Sequence, residues 1–408
     1  MKFIYGLFVE LMVIGMKLFA LFSDKTRRGV EGRNQSLAKV KAAFTAEDKV
    51  IWMHAASLGE YDQGLPVLEA LKKKFPKSKV LVTFFSPSGY DNVAKKNHPA
   101  DVVCYLPFDR KNDVEEFLKA FTPQLFFTVR YDYWYNLLSA LRRRKVPVYV
   151  VSALFYREQY FFKAYGRDFV KQLQETVNRF FHQTEESLKL AASIGLTNGI
   201  VTGDTRFDRV KEYRRRDNTV DYISDFKGKK KLIVFGSSWE AEEQIARELI
   251  ERNVSAKIIL APHDLKRVKH LTDLFPDALL YSKIQEDNPA IASVLIIDSV
   301  GLLSRLYSHA DIAVVGGGFH DAGLHNILEA ATFGKPVLFG NHYKKNPEAD
   351  ALIRNGGAKS FSEPTGVAVF IEQLVDDATT LTGMSTASFE FVSDQPNATE
   401  TIVREILA

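Results

Sequence analysis

From about residue 45 onward, short apolar runs alternate with amphipathic stretches. That alternation predicts a parallel sheet with helices on both faces. The runs of strand length in the first half are 49–54, 79–85, 102–106, 125–129, 146–151 and 179–182. Between them, "LPVLEALKKKFP", "DVEEFLKAF" and "LLSALRRRK" carry helical periodicity. After the polar stretch "VKEYRRRDNTVDYISDFKGKK" the pattern restarts at "KKKLIVFGSS", then runs through "AKIILAP", "SVLIID", "ADIAVVGGG" and "GKPVLFG". The expected organisation is two Rossmann-like domains, 25–205 and 230–408, joined by a linker at 206–229. Sheets of this kind bind ligands at the carboxyl ends of their strands, and each polar motif below sits at such an end.

The amino terminus breaks this pattern. Residues 3–22, "FIYGLFVELMVIGMKLFALF", are apolar except for Glu10 and Lys17. As a helix the segment would be about 30 Å long, the thickness of a hydrocarbon core. Each charge costs about 2.5–3.5 kcal/mol at a bilayer centre. The two lie on one helical face, an arrangement that also fits a helix lying in the membrane interface. "SDKTRRGVEGR" follows, and its Lys25, Arg27, Arg28 and Arg33 belong on the cytoplasmic side. Residues 1–24 are therefore expected to be a membrane anchor or interfacial helix, with packing on the protein's own domain as the alternative.

Composition adds boundaries. At 408 residues the chain exceeds what one core serves, and 46% hydrophobic with 25% charged residues describes a globular protein. A single cysteine, Cys104, excludes an internal disulfide. The net charge of +4 is mild, yet basic residues cluster at 72–74, 142–145, 214–216 and 229–231. Each run by itself reads as a solvated helix end or loop; together they point to anionic partners, including phosphate-bearing lipid.

Five stretches carry candidate chemistry. "HAASLGEYDQG" leaves a buried strand with Ser57, Gly59 and Glu60 in its turn, where Glu60 is either a first-turn acid or a base. Pro66 predicts a helix that starts near Gly64 or kinks there. "GSSWEAEE" offers Ser237 and Ser238 and then Glu240, though Ser238 reads equally as a helix cap. "APHDLKR" places Pro262 and His263 before Lys266 and Arg267. "DSVG" places Ser299 and Gly301 at another strand exit, with Asp298 as the expected cap. "GGGFHDAGLHNILEAA" has Gly317 and Gly318 ahead of a helix expected from about His325, with Asn326 and Glu329 in its first turn. Glycines and free helix N–H groups suit a phosphate, while the carboxylate suits ribose hydroxyls. The spacing is not the G-x-G-x-x-G of dinucleotide sites. No D-x-D-like pair stands at a strand end, so no metal is expected.

The order and spacing of these motifs, with "VTGDTRFD" at 201–208, resemble the Kdo transferases, which attach 3-deoxy-D-manno-octulosonic acid (Kdo) to lipid A precursors. The resemblance implies a GT-B fold of two Rossmann-like domains facing a central crevice, with an N-terminal hydrophobic membrane-anchor helix. It implies a place on the cytoplasmic face of the inner membrane, CMP-Kdo as donor, a lipid A precursor (lipid IVA) as acceptor, inversion, and no cofactor. Nucleic acid is not an expected partner. Glu60 maps onto the family's general base. Ser237, Ser238, Glu240, Gly317, Gly318, His325, Asn326 and Glu329 map onto the donor-binding positions, beside the Pro262–His263 and Ser299–Gly301 turns.

Two stretches depart from the family pattern. Where many members read E-T-E-x-W-P, this chain has Arg130 for the first glutamate, Asp132 for the second, and Trp134 in register. These three, with Ser57 and Gly59, are the expected acceptor-side residues. Where many members read P-R-H, this chain has Pro262-His263-Asp264, which lacks the arginine expected to meet the donor phosphate. The alternatives are a GT-B enzyme using a UDP-sugar, a nucleotide-sugar epimerase of similar fold, and a non-enzymatic membrane adaptor.

Overall fold

β1 (Lys49–Ala55) is buried at every position after its first residue. Its sequence shows no polar alternation, as expected of a parallel strand covered on both faces. Val50 and Trp52 enter one core cluster while Ile51 and Met53 enter the cluster on the opposite face. β2 (Lys79–Phe84), β3 (Val102–Tyr105), β4 (Thr122–Val129), β5 (Val148–Ala153), β6 (Arg179–His182) and β7 (Gly199–Val201) complete a seven-stranded sheet. Every pairing is parallel, in the order β3-β2-β1-β4-β5-β6-β7. The strand order reverses direction between β1 and β4, and this is the switch point where α/β sheets open for ligands.

The second sheet repeats the plan. β8 (Lys231–Ser238), β9 (Ala256–Pro262), β10 (Leu279–Leu280), β11 (Val294–Ile296), β12 (Ile312–Val315), β13 (Val337–Gly340) and β14 (Ala358–Phe361) are again all parallel. Their order is β10-β11-β9-β8-β12-β13-β14, so this switch point falls between β8 and β12. The computed structural model describes residues 2–286, 288–321, 323–344 and 346–408. It divides into a first unit, Met1–Arg209 with Pro396–Ala408, and a second, Val210–Gln395. Two parallel seven-stranded sheets with flanking helices constitute the GT-B-type α/β architecture that the motif order implies.

Three expectations change. The domain written as 230–408 ends earlier, because Ala398, Ile402 and Val403 of the last helix (Ala398–Leu407) bury in the first unit's core. That helix lies against α3 (Leu58–Lys74). The linker at 206–229 is largely helical, as Thr205–Arg215 and Ile223–Lys227, and it buries Val220, Ile223 and Phe226. α3 starts at Leu58 rather than near Gly64 and carries Pro66 inside it. It crosses the sheet at Gly64, where a Cβ would come within 2.2 Å of Met53 Cε and 3.0 Å of Val129 Cγ2.

The expected anchor segment is described from residue 2 on. α1 (Lys2–Phe19) buries Val9 and Val13 against Val30 and Phe108, next to α2 (Asp24–Ala43). The Tyr5 hydroxyl donates to Asp109 Oδ2 at 2.6 Å, and Arg110 Nη2 donates to Glu10 Oε2 at 2.5 Å. Glu10 is thus spent on an ion pair. Ile4, Leu7, Phe8, Leu11, Ile14 and Leu18 on the other face are more than half exposed. Among the described residues no helix is long and apolar enough to cross a membrane.

Candidate active site

Each switch point gathers a polar cluster, and the two clusters belong to separate units.

In the first unit β1 delivers His54 and the turn after it delivers Glu60. His54 is fully buried, with Nε2 2.6 Å from Asp132 Oδ2 and Nδ1 3.0 Å from both Thr83 O and Thr83 Oγ1. Asp132, reached from β4 across the switch point, also accepts from Trp134 Nε1 at 3.3 Å. Trp134 in turn stacks on Phe85 with ring centroids 5.0 Å apart. The histidine therefore ties the exits of β1, β2 and β4 together. Ser57 is the N-cap residue of α3, yet its hydroxyl makes no cap hydrogen bond and donates instead to Glu60 Oε2. Glu60 sits in the first turn of α3, half-buried, where the helix's N–H groups favour its charge. Gly59 is exposed, and a Cβ there would touch only Ser57 Oγ, at 3.9 Å.

α3 is held from behind. The Gln63 amide donates to Asp204 Oδ1 at 3.1 Å, and Thr205 Oγ1 donates to Gln63 O at 2.6 Å. Burial works to raise the Asp204 carboxyl, but Arg206 and Arg130 hold it below the usual range. The "VTGDTRFD" stretch therefore braces the helix that carries Glu60. Arg130 has φ +63°, a left-handed conformation uncommon outside glycine, and its Nε is buried without a hydrogen-bond partner. Tyr131 and Tyr156 meet edge to face at 6.0 Å. Burial first, then Tyr156 and Glu60, raise the Tyr131 hydroxyl, so this tyrosine lies within the field of Glu60.

In the second unit the glycines answer a packing demand. A Cβ on Gly316 would lie 2.0 Å from Ser237 O, on Gly317 2.3 Å from Gly323 O, and on Gly318 2.6 Å from Gly340 N. Backbone passes backbone at all three, with Gly317 at φ +90°. The Gly317 N–H is already engaged, donating to Glu242 Oε1 at 3.2 Å, while Glu242 Oε2 accepts from Trp239 N at 2.9 Å. Burial pushes the Glu242 carboxyl up to about 7, against the pull of those hydrogen bonds.

Four rings close around this turn. Trp239 stacks on His263 at 4.5 Å with planes 19° apart, and meets His320 edge-on at 4.6 Å. His325 lies 4.7 Å from His263, and its Nε2 accepts from Trp239 Nε1 at 3.4 Å. Burial, with His263 and His320 beside it, lowers His325 to about 4. Ser238 Oγ is buried without a hydrogen-bond partner at the centre of this end of the sheet. Asp321, Gly323, Asn341, His342 and Lys344 line a cavity of about 440 Å³ in the same unit.

Other expected donor residues are placed less centrally. The helix expected from about His325 is one turn, Leu328–Ala331. The His325 N–H is drawn to Gly316 O at 3.1 Å, and Asn326 spends Oδ1 on Leu328 N and Nδ2 on Glu329 Oε1. Trp239, not Ser238, is the N-cap of the helix Glu240–Glu251, and Glu240 is exposed. Ser299 and Gly301 follow β11, which β9 separates from β8. Asp298 holds Ser282 rather than capping the helix Leu303–His309. Trp239, Glu242, His320, Tyr131 and Tyr156 did not stand out in the sequence. The first three lie inside quoted motifs, and their ring and carboxylate chemistry was the available signal. Among the described residues no group of three or more His, Cys, Asp or Glu could hold a metal ion.

Residues 29–209 match the family described as 3-deoxy-D-manno-octulosonic-acid transferase (kdotransferase). A 3-deoxy-D-manno-octulosonic acid transferase of Rickettsia felis is 27% identical over 333 residues, covering 79% of this chain and 71% of its own. A bifunctional glycosyltransferase/methyltransferase of Fusobacterium nucleatum is 27% identical over 72% of this chain, which spans 48% of that longer protein. In structure, the UDP-GlcNAc 2-epimerase of Neisseria meningitidis aligns with a TM-score of 0.61 at 19% identity, over 88% of this chain and 99% of the other. A glycosyltransferase from Rickettsia africae aligns with a TM-score of 0.55 at 13% identity, over 88% and 99%. These two establish the fold alone, which epimerases and glycosyltransferases share. With the curated relatives added, the likeness to 3-deoxy-D-manno-octulosonic acid transferases extends from residues 29–209 across most of the chain.

Proposed function

We propose that the protein transfers Kdo from CMP-Kdo to a lipid A precursor, inverting the anomeric centre, with Glu60 as general base. The observation that carries this reading is the placement of Glu60 at the carboxyl end of β1, beside the switch point, within the residues that match the Kdo transferase family. An acceptor hydroxyl is too weak an acid to attack unaided. A carboxylate that takes its proton in the transition state contributes about 10²–10⁴-fold. The new carbon–oxygen bond forms as the bond to the CMP phosphate breaks. The proton goes to Glu60 and the electron pair leaves on the phosphate. The Ser57 hydroxyl orients the carboxylate, and the Tyr131–Tyr156 pair offers apolar faces to a sugar. The cluster around Trp239 holds the nucleotide.

The acceptor is a membrane lipid, and α1 supports a place at the membrane surface. Its exposed stripe is the face a helix lays into the headgroup boundary, and Lys25, Arg27 and Arg28 follow on the next helix. We place the protein on the cytoplasmic face of the inner membrane. Sedimentation with phosphatidylethanolamine–phosphatidylglycerol vesicles tests this. Wild type should pellet and Leu11→Asp should bind at least about tenfold more weakly, since one buried leucine contributes about 2 kcal/mol. Equal binding by both, or none by wild type, removes the membrane claim.

Labelled CMP-Kdo and lipid A precursor test the chemistry. Wild type should transfer label, and Glu60→Gln should transfer it about 10²–10⁴-fold more slowly with CMP affinity unchanged. Transfer by Glu60→Gln at the wild-type rate, or no transfer by wild type, overturns the assignment.

A further inference from the structure

A phosphate arriving in the cluster around Trp239 needs a cation, and the nearby arginine is committed elsewhere. Arg267 forks onto Glu243, with Nε 2.8 Å from Oε1 and Nη2 2.5 Å from Oε2, and Glu243 is fully buried. Moving Arg267 to a ligand would strand a buried carboxylate, a costly exchange. Lys266 is exposed in the short turn Leu265–Arg267, whose N-cap is Asp264. The Gly317 N–H is held by Glu242.

The three imidazoles are the basic groups whose rings pack in the cluster itself, and their surroundings differ. His325 uses its Nε2 lone pair to accept from Trp239 Nε1, so protonation there would break that bond. His320 presents its ring to the edge contact with Trp239. His263 lies flat on the indole, with its backbone N–H anchored 3.0 Å from Ser238 O, and its residue is exposed. An indole face attracts a cation more strongly than other aromatic faces do. An imidazolium at 263 would therefore have indole on one side and room for an anion elsewhere. The charged and titratable groups around it are Asp264 and Lys266 on its own turn, the Glu243–Arg267 pair with His270 beside it, and His320 and His325 in the ring cluster. Burial lowers His263, Asp264 opposes this, and His320 adds to it.

We propose that His263 is the cation that meets the donor phosphate, and that it takes up its proton as the donor binds. This rests on the reading of the Trp239 cluster as the nucleotide site. Donor affinity is then tied to pH through one side chain, and binding tightens as the medium acidifies. His325, held neutral by the indole N–H, positions the turn and does not carry the charge.

Calorimetry with CMP as the probe, from pH 6 to pH 8.5 in two buffers of different ionisation enthalpy, tests the inference. CMP's own phosphate also titrates, near pH 6. That contribution is common to every variant and drops out of differences. Wild type should take up more protons per CMP than His263→Gln, with an excess approaching one. Its Kd should weaken by up to about tenfold per pH unit relative to that variant. His263→Arg, a permanent cation on the same exposed position, should hold tight binding to pH 8.5 with no excess uptake. If His263→Gln retains the wild-type slope and uptake, the proton resides elsewhere and the inference falls. It falls equally if His263→Arg binds no tighter at pH 8.5 than His263→Gln. If wild type does not bind CMP at all, the nucleotide-site reading fails first and takes the inference with it.

Discussion

The exits of β1 and β8 occupy the same place in their sheets, yet they are built from opposite materials. At β1 the backbone follows ordinary paths and the side chains carry the design. His54 bridges to Asp132, Ser57 turns to Glu60, and Gly59 touches almost nothing. At β8 the backbone itself is the design. Gly316, Gly317 and Gly318 let chain segments pass where no Cβ fits, and the buried carboxylate of Glu242 is spent on two N–H groups. A base of the kind proposed for Glu60 must keep its lone pair available, and the first exit orients that acid through one hydroxyl. If the second exit holds the nucleotide, as proposed, it spends the Glu242 carboxylate on shape and leaves recognition to rings.

Alanine at the two glycine positions gives the sharpest contrast. Gly318→Ala would force a Cβ into the Gly340 backbone. It should cost about 3 kcal/mol or more in urea unfolding, with CMP binding lost. Gly59→Ala, in the first turn of α3 with no close neighbour, should leave stability unchanged or raise it by up to about 1 kcal/mol. Comparable losses at both positions would break the comparison.

A smaller effect sharpens it. Burial raises Glu242 to about 7, so the folded state binds its proton more tightly than the unfolded state does. The stability this provides is complete below the ordinary glutamate range and is lost as pH rises through 7. Between pH 6 and pH 8 the loss amounts to about 1.4 kcal/mol. His325, lowered to about 4, acts at lower pH. Urea unfolding of wild type should show this decline, and Glu242→Gln should flatten it. A variant with the wild-type slope would place the titration on another group.

Much of this was legible in advance. Strands buried on both faces, such as β1 and β8, announce themselves as unbroken apolar runs. β7, β10 and β14 did not, because they are short, lie at or near sheet edges and are only partly buried, so burial wrote no pattern into them. "LHNILEAATFG" reads as a helix, but only Leu328–Ala331 is one, since the Gly316 carbonyl and the Asn326 side chain take the preceding N–H groups. Pro66 reads as a helix boundary because its missing N–H matters locally. The buried contacts of α3, with Gly64 set close against the sheet, override it. The glycine triplet was visible, but its reason was not: which backbone each glycine faces is a tertiary fact. The pairing of Arg267 with Glu243, 24 positions apart, is invisible for the same reason.

The return of the last helix to the first unit has a consequence for how the protein is made. Residues 210–395 lie, along the chain, inside the unit that begins before them. On a ribosome domains generally fold as units, in the order in which their chains are completed. Here the second unit is complete while the first still lacks Ala398, Ile402 and Val403, which fill its core beside α3. The unit begun first is therefore finished last, and the helix bearing Glu60 gains its final support only after residues 396–408 have emerged.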